Sequence, residues 1–590
     1  MSGRAHLIIQ SLGGDGPPAV IPPPDNADFS WLRWANGDRV VFTVTSSDRR
    51  GLTETTETRL WAANEDGTDV EHIVVPTETQ KTGSSLGREL APAQLQGNVI
   101  HWLPDEPNHI MVSLDGDHNA ADEVRRIDIR NGRYDIVRDD APGIQEWMPD
   151  VDGELRFGWG YRRSTLRILT KNDSGMWRSV DKAAWWDAGF FPQGFSDKPD
   201  VAYMRGPDEN GYKVIRTMNI VTNEFGETVF SVDSYDVGGM IRDPLTGQPI
   251  GVSYTTDKPQ TFYFDTAFAN LQKSIDKVMP HTVNRVVSLT ADRRKMLIRS
   301  SSDVDAGTYS YLNRDTGNLS LVAEAMPGLA PELMSEVTPV SYEARDGLQI
   351  PAFLTLPRGV EGKNLKIIVL PHGGPGARDD ASFWYLSQFL ASRGYAIFQP
   401  NFRGSTGYGE RFERAGRKEW GGKMQEDVTD GANWLVEQGI ADPDRMCIVG
   451  WSYGGYSAAM GAIQTPDLYQ CAASINGVMD LPRLIADDRA YVGGTVWTRH
   501  IGLEGEGLKE VSPYHRAEEI QVPMLIIQAK DDPRVYEHNG KRMARRLERL
   551  DKEVTYVSIE YGGHSLYNED ARMTILTSLE KFLQDNLGDQ

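Results

Sequence analysis

Apolar and polar positions follow two different rhythms along this chain. Up to about residue 325, short strand-like runs alternate with polar turns, and almost no stretch carries the apolar spacing of a helix. The turns fall at Gly13-Gly14-Asp15-Gly16, Asp66-Gly67, Asn131-Gly132, Asp173-Ser174-Gly175, Glu224-Phe225-Gly226, Ala269-Asn270 and Thr316-Gly317. Asn-Gly and Asp-Gly pairs between apolar runs are strong hairpin signals. The turns are mostly about 40 to 55 residues apart, close to the period of propeller repeats. Several intervals hold a second hairpin, as in 34–42, 102–112 and 147–157. A four-stranded unit at this period reads as a propeller blade, and seven turns predict seven blades.

From Glu332 onward the rhythm changes. Strand-like runs at 350–356, 365–370, 396–400, 446–450, 472–475, 524–528 and 554–559 alternate with helical patterns, including 425–438 and a last helix at 571–587. This alternation predicts a mostly parallel sheet covered on both faces. The expected organisation is therefore an all-β propeller over 1–328 and a doubly wound α/β-hydrolase domain over 329–590.

Composition narrows the classes. A chain of 590 residues exceeds what one hydrophobic core supports. With 39% hydrophobic and 25% charged residues it has the make-up of a soluble globular protein, and no apolar run approaches the roughly 18 residues needed to span a bilayer. A net charge of −22 argues against nucleic acid or an anionic membrane as partner. The basic stretch at 542–549 reads as a solvated helix face. The start has too short an apolar core for a secretory leader, so the chain as written is expected in the cytoplasm. Because 5–12 already looks like a strand, a missing upstream leader would instead place it in the periplasm or outside the cell. Cys447 and Cys471 are expected as buried free thiols, since two cysteines make no disulfide framework. No Cys/His cluster has metal-ligand spacing, so neither a structural zinc nor a cofactor is implied.

The chemistry concentrates in the second half. Gly450-Trp451-Ser452-Tyr453-Gly454 follows a buried strand and precedes a helix of small residues. That context is a nucleophile elbow, which lifts a serine hydroxyl clear of a sheet edge. Gly83-Ser84-Ser85-Leu86-Gly87 matches the same pattern without a strand leading in, and Ser85 reads as a loop serine. A serine hydroxyl needs a positioned base. His564, behind the strand at 554–559 and beside Gly562 and Gly563, has that setting; His500, His515 and His538 do not. The acid belongs to the loop Lys530-Asp531-Asp532-Pro533-Arg534-Val535, where composition leaves Asp531 and Asp532 both open. Pro371-His372-Gly373-Gly374-Pro375-Gly376 follows another strand, and the N–H groups of Gly374 and Tyr453 would form an oxyanion hole.

These residues resemble the prolyl oligopeptidase family of serine peptidases (S9), especially its acylaminoacyl-peptidase and dipeptidyl-peptidase branch. The resemblance runs through His372-Gly373-Gly374-Pro375, Asn401-Phe402-Arg403-Gly404-Ser405-Thr406-Gly407-Tyr408-Gly409 and Trp420-Gly421-Gly422-Lys423. It continues through the elbow, Asp532-Pro533-Arg534-Val535 and Gly563-His564. It implies Asp532 as the acid. Arg534 falls where relatives grip a substrate backbone carbonyl, with Val535 beside it as a second substrate-binding residue. The resemblance also implies a propeller that caps the active site and admits short peptides. No glutamate pair for a free substrate amino terminus can be placed; Glu54, Glu57 and Glu65 lack the local pattern and read as a solvated loop face. The segment from Asp487 to Tyr491 and on to Trp497-Thr498-Arg499-His500 is expected to help line the pocket. Related enzymes often assemble so as to narrow the entrance, and the sequence leaves a homo-oligomer open. The function implied is hydrolysis of short peptides; an esterase or amidase on the same scaffold is the alternative.

Overall fold

The computed structural model describes residues 5–12, 16–50, 53–74, 92–162, 165–171, 174–180, 184–488, 501–566 and 568–588. The second serine motif around Ser85, the turn at 13–15 and the segment 489–500 lie outside the described residues. Packing divides the chain into two compact units, one of Met1–Gly206, Val214–Phe230 and Gly239–Gly251, the other of Pro207–Lys213, Ser231–Gly238 and Val252–Gln590.

The N-terminal half is a β-propeller with six blades among the described residues, not seven. Five are four-stranded antiparallel sheets; they begin at Ala27–Trp34, Val99–His101, Glu146–Pro149, Phe191–Phe195 and Val283–Leu289. The remaining blade has three strands, Val237–Arg242, Pro249–Thr255 and Pro259–Tyr263. Five of the seven sequence turns mark the link between a blade's third and fourth strands, or its immediate edge. The first does not, since it lies between Leu7–Ile9 and Ala19–Ile21, which among the described residues form a two-stranded sheet of their own. The turn expected at Ala269-Asn270 is instead inside a helix, Thr266–Val278. Asp265 caps that helix by accepting from the Phe268 N–H at 2.8 Å, and Phe268 and Ile275 bury one face. A helix thus stands after the third strand, where other blades have a fourth.

Within the first unit, alternate strand residues supply the core: Val41, Leu60, Ile110, Val112 and Ile127 form one cluster, and Phe157, Ile168, Met204 and Met218 another. Glu57 corrects the expectation of a solvated face. It is buried, and its carboxylate takes the Arg59 guanidinium at 3.1 Å and the Thr55 hydroxyl at 2.8 Å. Residues two apart on a strand share a face, so Glu57 and Arg59 neutralise each other. Glu65 is exposed, as read.

The second unit holds an eight-stranded sheet: β1 (Val337–Glu343), β2 (Gln349–Thr355), β3 (Leu365–Val369), β4 (Ala396–Pro400), β5 (Ala441–Trp451), β6 (Cys471–Ile475), β7 (Met524–Ala529) and β8 (Val554–Ile559). Their order is β1-β2-β4-β3-β5-β6-β7-β8. Strands β3 to β8 are parallel, whereas β2 runs antiparallel to both β1 and β4. Period-two alternation divides the buried residues between two faces. Ile367, Val369, Met446 and Ile448 pack under the helices Lys423–Glu437, Tyr453–Gln464 and His538–Arg549. Ile368, Leu370, Cys447 and Val449 pack under Tyr385–Ser392 and Glu569–Leu587. Burial on both faces explains the continuous apolar runs by which these strands are recognised. Cys447 and Cys471 are not free thiols: they are register partners on β5 and β6, 4.8 Å apart at Cα, and form a disulfide.

Candidate active site

Ser452 stands where β5 turns into the helix Tyr453–Gln464, with φ 58° and ψ −116°. A non-glycine residue at positive φ is strained and persists only where its surroundings dictate it. The neighbouring glycines show how tight the turn is. A Cβ on Gly450 would lie 2.1 Å from the Gly454 carbonyl, and one on Gly454 would lie 2.0 Å from the Pro371 oxygen. No side chain fits at either place, so the backbone alone fixes where the serine projects.

The structure brings three of the sequence candidates into one chain of contacts. Ser452 Oγ lies 3.0 Å from His564 Nε2, and His564 Nδ1 lies 2.7 Å from Asp532 Oδ2. Asp532 is buried, and its other oxygen accepts the N–H groups of Arg534 at 2.8 Å and Val535 at 2.9 Å. Asp531 faces elsewhere: its carboxylate accepts from Gly562 and Gly563, at 3.1 and 2.9 Å, and so braces the loop that carries His564. Geometry therefore separates two aspartates that composition cannot.

The turn at Pro371–Gly376 closes the other side. A Cβ on Gly373 would stand 3.4 Å from Ser452 Cβ, so this backbone passes directly over the serine. Gly374 adopts φ +128°. The N–H groups of Gly374 and Tyr453 have no hydrogen-bond partner among the described residues. Tyr453 opens its helix, where an N–H has no partner within the helix. His372 is buried and stacks on Phe402, with ring centroids 4.4 Å apart. Its Nδ1 is 2.7 Å from the Gly373 carbonyl oxygen and its Nε2 is 2.8 Å from Ser405 Oγ. Burial holds this imidazole below its ordinary pKa, which keeps it neutral. The Tyr453 ring is clamped by Phe402 and by the edge of Trp420, at 5.2 and 4.6 Å. Burial also pushes its phenol well above the usual range, which keeps it protonated.

Two supporting residues were not among the site candidates. The Trp451 indole N–H donates to the His564 carbonyl at 2.9 Å, and the Asn476 amide donates to the same oxygen at 3.0 Å. Asn476 also accepts the Ala529 N–H at 2.8 Å. The residues flanking strands β5, β6 and β7 thus hold the histidine loop together. The Asn476-Gly477 pair ending β6 was the available signal. Among the described residues, no group of three His, Cys, Asp or Glu is arranged to hold a metal.

A cavity of about 840 Å³ opens beside these groups. Ser452, His564, Gly373, Gly374, Arg534 and Val535 line it, with Trp384, Tyr385, Trp420, Val478 and Leu484 as apolar walls and Asp487, Asp488 and Arg572 as charged ones. Val535 is buried and Arg534 exposed. Of the segment expected to line the pocket, Asp487 and Asp488 do so, and the rest lies outside the described residues.

An α/β-hydrolase sheet with a serine at its strand-to-helix turn, joined to a propeller, defines a serine hydrolase. Residues 381–590 match Peptidase_S9, the prolyl oligopeptidase family. The chain is 27% identical over 602 residues to dipeptidyl aminopeptidase BIII of Pseudoxanthomonas mexicana, an alignment spanning 96% of this chain and 86% of that protein. It is 29% identical over 392 residues to dipeptidyl peptidase family member 6 of Caenorhabditis elegans, spanning 61% of this chain and 53% of that one. Among solved structures, a puromycin-hydrolyzing peptidase of Mycobacterium tuberculosis shares the fold, with a TM-score of 0.70 and 17% identity over 96% of this chain and 95% of the other. Residues 381–590 thus resemble the prolyl oligopeptidase family, and these relatives support a serine-type peptidase.

Proposed function

We propose that the chain hydrolyses short peptides through Ser452, His564 and Asp532. The observation that carries this reading is the pair of contacts at 3.0 and 2.7 Å linking the three side chains. His564 Nε2 takes the Ser452 proton as Oγ attacks the scissile carbonyl. Asp532 holds the imidazole in the required tautomer and stabilises its charged form. The oxyanion forms against the N–H groups of Tyr453 and Gly374, each worth about 3 kcal/mol in comparable sites. Collapse expels the amine, which takes the proton from His564 and leaves an acyl-Ser452 ester. Water, deprotonated by the same imidazole, then releases the acid.

Arg534 is assigned to a substrate carbonyl near the scissile bond, where an exposed, always charged guanidinium offers fixed donors. Val535 has two parts: its N–H anchors Asp532 and its side chain lines the cavity. Similarity to a dipeptidyl aminopeptidase supports cleavage near the amino end of a short peptide.

The test is a cleavage profile on a mixed peptide library with free and acetylated amino ends, with Ser452→Ala as control. Cleavage by wild type alone supports the reading, and the profile assigns the branch. A wild type that turns over small activated esters but no peptide overturns it in favour of an esterase.

A further inference from the structure

The cavity beside Ser452 has two walls, one on each face of the sheet. Val478, Leu484 and Val535 belong to the core under the helix Tyr453–Gln464, and Asp487 and Asp488 end the helix Leu481–Asp488 on that side. Trp384, Tyr385 and Leu566 belong to the opposite core, under Tyr385–Ser392 and Glu569–Leu587. Arg572 projects from the first turns of Glu569–Leu587 into this second wall.

The charges differ in their engagement. Asp487 is already paired, with Arg483 at 3.1 Å and His538 at 2.8 Å. Arg572 is half-buried and sits over the Tyr385 ring, 6.0 Å from its centroid. Among the described residues no carboxylate forms an ion pair with it, and Glu569 and Asp570 in its own helix are exposed. A half-buried guanidinium on an aromatic platform, facing a cavity and lacking an anion, is a receptor for one.

Direction follows from the proton. The departing amine takes its proton from His564, so the leaving fragment lies on His564's side of Ser452. From His564 the chain runs through Ser565 and Leu566, both lining the cavity, into the wall that carries Arg572. In a peptide cut close to its end, the leaving fragment carries the terminal carboxylate. We propose that Arg572, seated on Tyr385, binds that carboxylate, so that the preferred substrates keep a free C-terminus within one or two residues of the scissile bond. This rests on the peptidase reading above and adds to it a substrate class.

The experiment compares kcat/KM for matched short peptides ending in a carboxylate or a carboxamide, with wild type, Arg572→Met and Arg572→Lys. A bidentate charged contact predicts that wild type prefers the acid by roughly tenfold or more, mainly through KM. Arg572→Met brings the ratio near one, and Arg572→Lys keeps part of it. Lengthening the leaving side by several residues also removes the preference. Equal cleavage of both peptides by wild type, or a preference that survives Arg572→Met in a protein of unchanged Tm, overturns the assignment alone. A wild type that cleaves neither peptide yet still turns over small esters overturns the peptidase reading with it.

Discussion

Asp532 touches His564 through one carboxylate oxygen, 2.7 Å from Nδ1, while its other oxygen is held by the N–H groups of Arg534 and Val535. The side chain therefore cannot turn without losing backbone bonds. Asp532→Asn is expected to lower kcat by about 10³- to 10⁴-fold with little change in KM, because the amide favours the wrong imidazole tautomer. Asp531→Asn keeps an acceptor for the Gly562 and Gly563 N–H groups and should cost about tenfold or less. Steady-state kinetics on one peptide and one activated ester checks both; equal losses would reverse the assignment of the two aspartates.

The elbow glycines predict a stability effect separate from catalysis. Gly454→Ala places a methyl group against the Pro371 carbonyl, and Gly450→Ala places one against the Gly454 backbone. Neither obstacle is a side chain that can swing away. Each variant should lose about 3 kcal/mol or more, at the upper end of overpacking costs. Gly563→Ala meets open space and suffers only its φ of +59°, costing about 1 to 2 kcal/mol. Thermal melts of the three variants should rank in that order.

His372 stands behind the turn that passes over Ser452, bonded to Ser405 and stacked on Phe402. If this pair fixes the turn, His372→Ala and Ser405→Ala each reduce kcat more than KM worsens. Their combined effect should fall short of the sum by about 1 kcal/mol, as for residues sharing one contact. Strictly additive effects in a double-mutant cycle would separate them.

In the propeller, Asp122 accepts the Ser113 hydroxyl at 2.8 Å. Burial, helped by Asp115, Glu146 and Glu123, raises its pKa to about 7. The folded state then holds a proton that the unfolded chain releases near pH 4. Its contribution is full below pH 4 and is lost as pH rises through 7. Stability should decline across pH 4 to 7 by about 2 kcal/mol from this group, discounted for partial exposure. Denaturant midpoints at several pH values would show that slope in wild type and its loss in Asp122→Asn.

What could be read before folding depended on whether the signal was local. The strands β3 to β8 are buried on both faces, so their apolar runs were legible to within a few residues. β1 was missed because Pro339 interrupts Val337–Glu343, and proline is tolerated there only because the strand lies at the sheet edge. The helix Thr266–Val278 was read as a turn, although Asp265 with Phe268 and Ile275 spelled a cap and an apolar stripe. The blade count failed because a turn marks a hairpin, not the number of strands that join it. In the site, Ser452 and His564 announce themselves by flanking glycines. Arg572 and Tyr385 reach the cavity beside Ser452 only through tertiary packing, and nothing beside them in the chain says so.

The edge strand has a practical consequence. The family match begins at residue 381, yet the sheet carrying Ser452 begins at Val337. A fragment cut at 381 would discard β1, β2 and β3. β4 would then lose both neighbours, and β5 would present the flank that β3 had covered as a raw row of N–H and C=O groups. Such an edge templates pairing between molecules, and the expected product is aggregate rather than enzyme. The segment that kinship recognises is shorter than the segment able to stand alone.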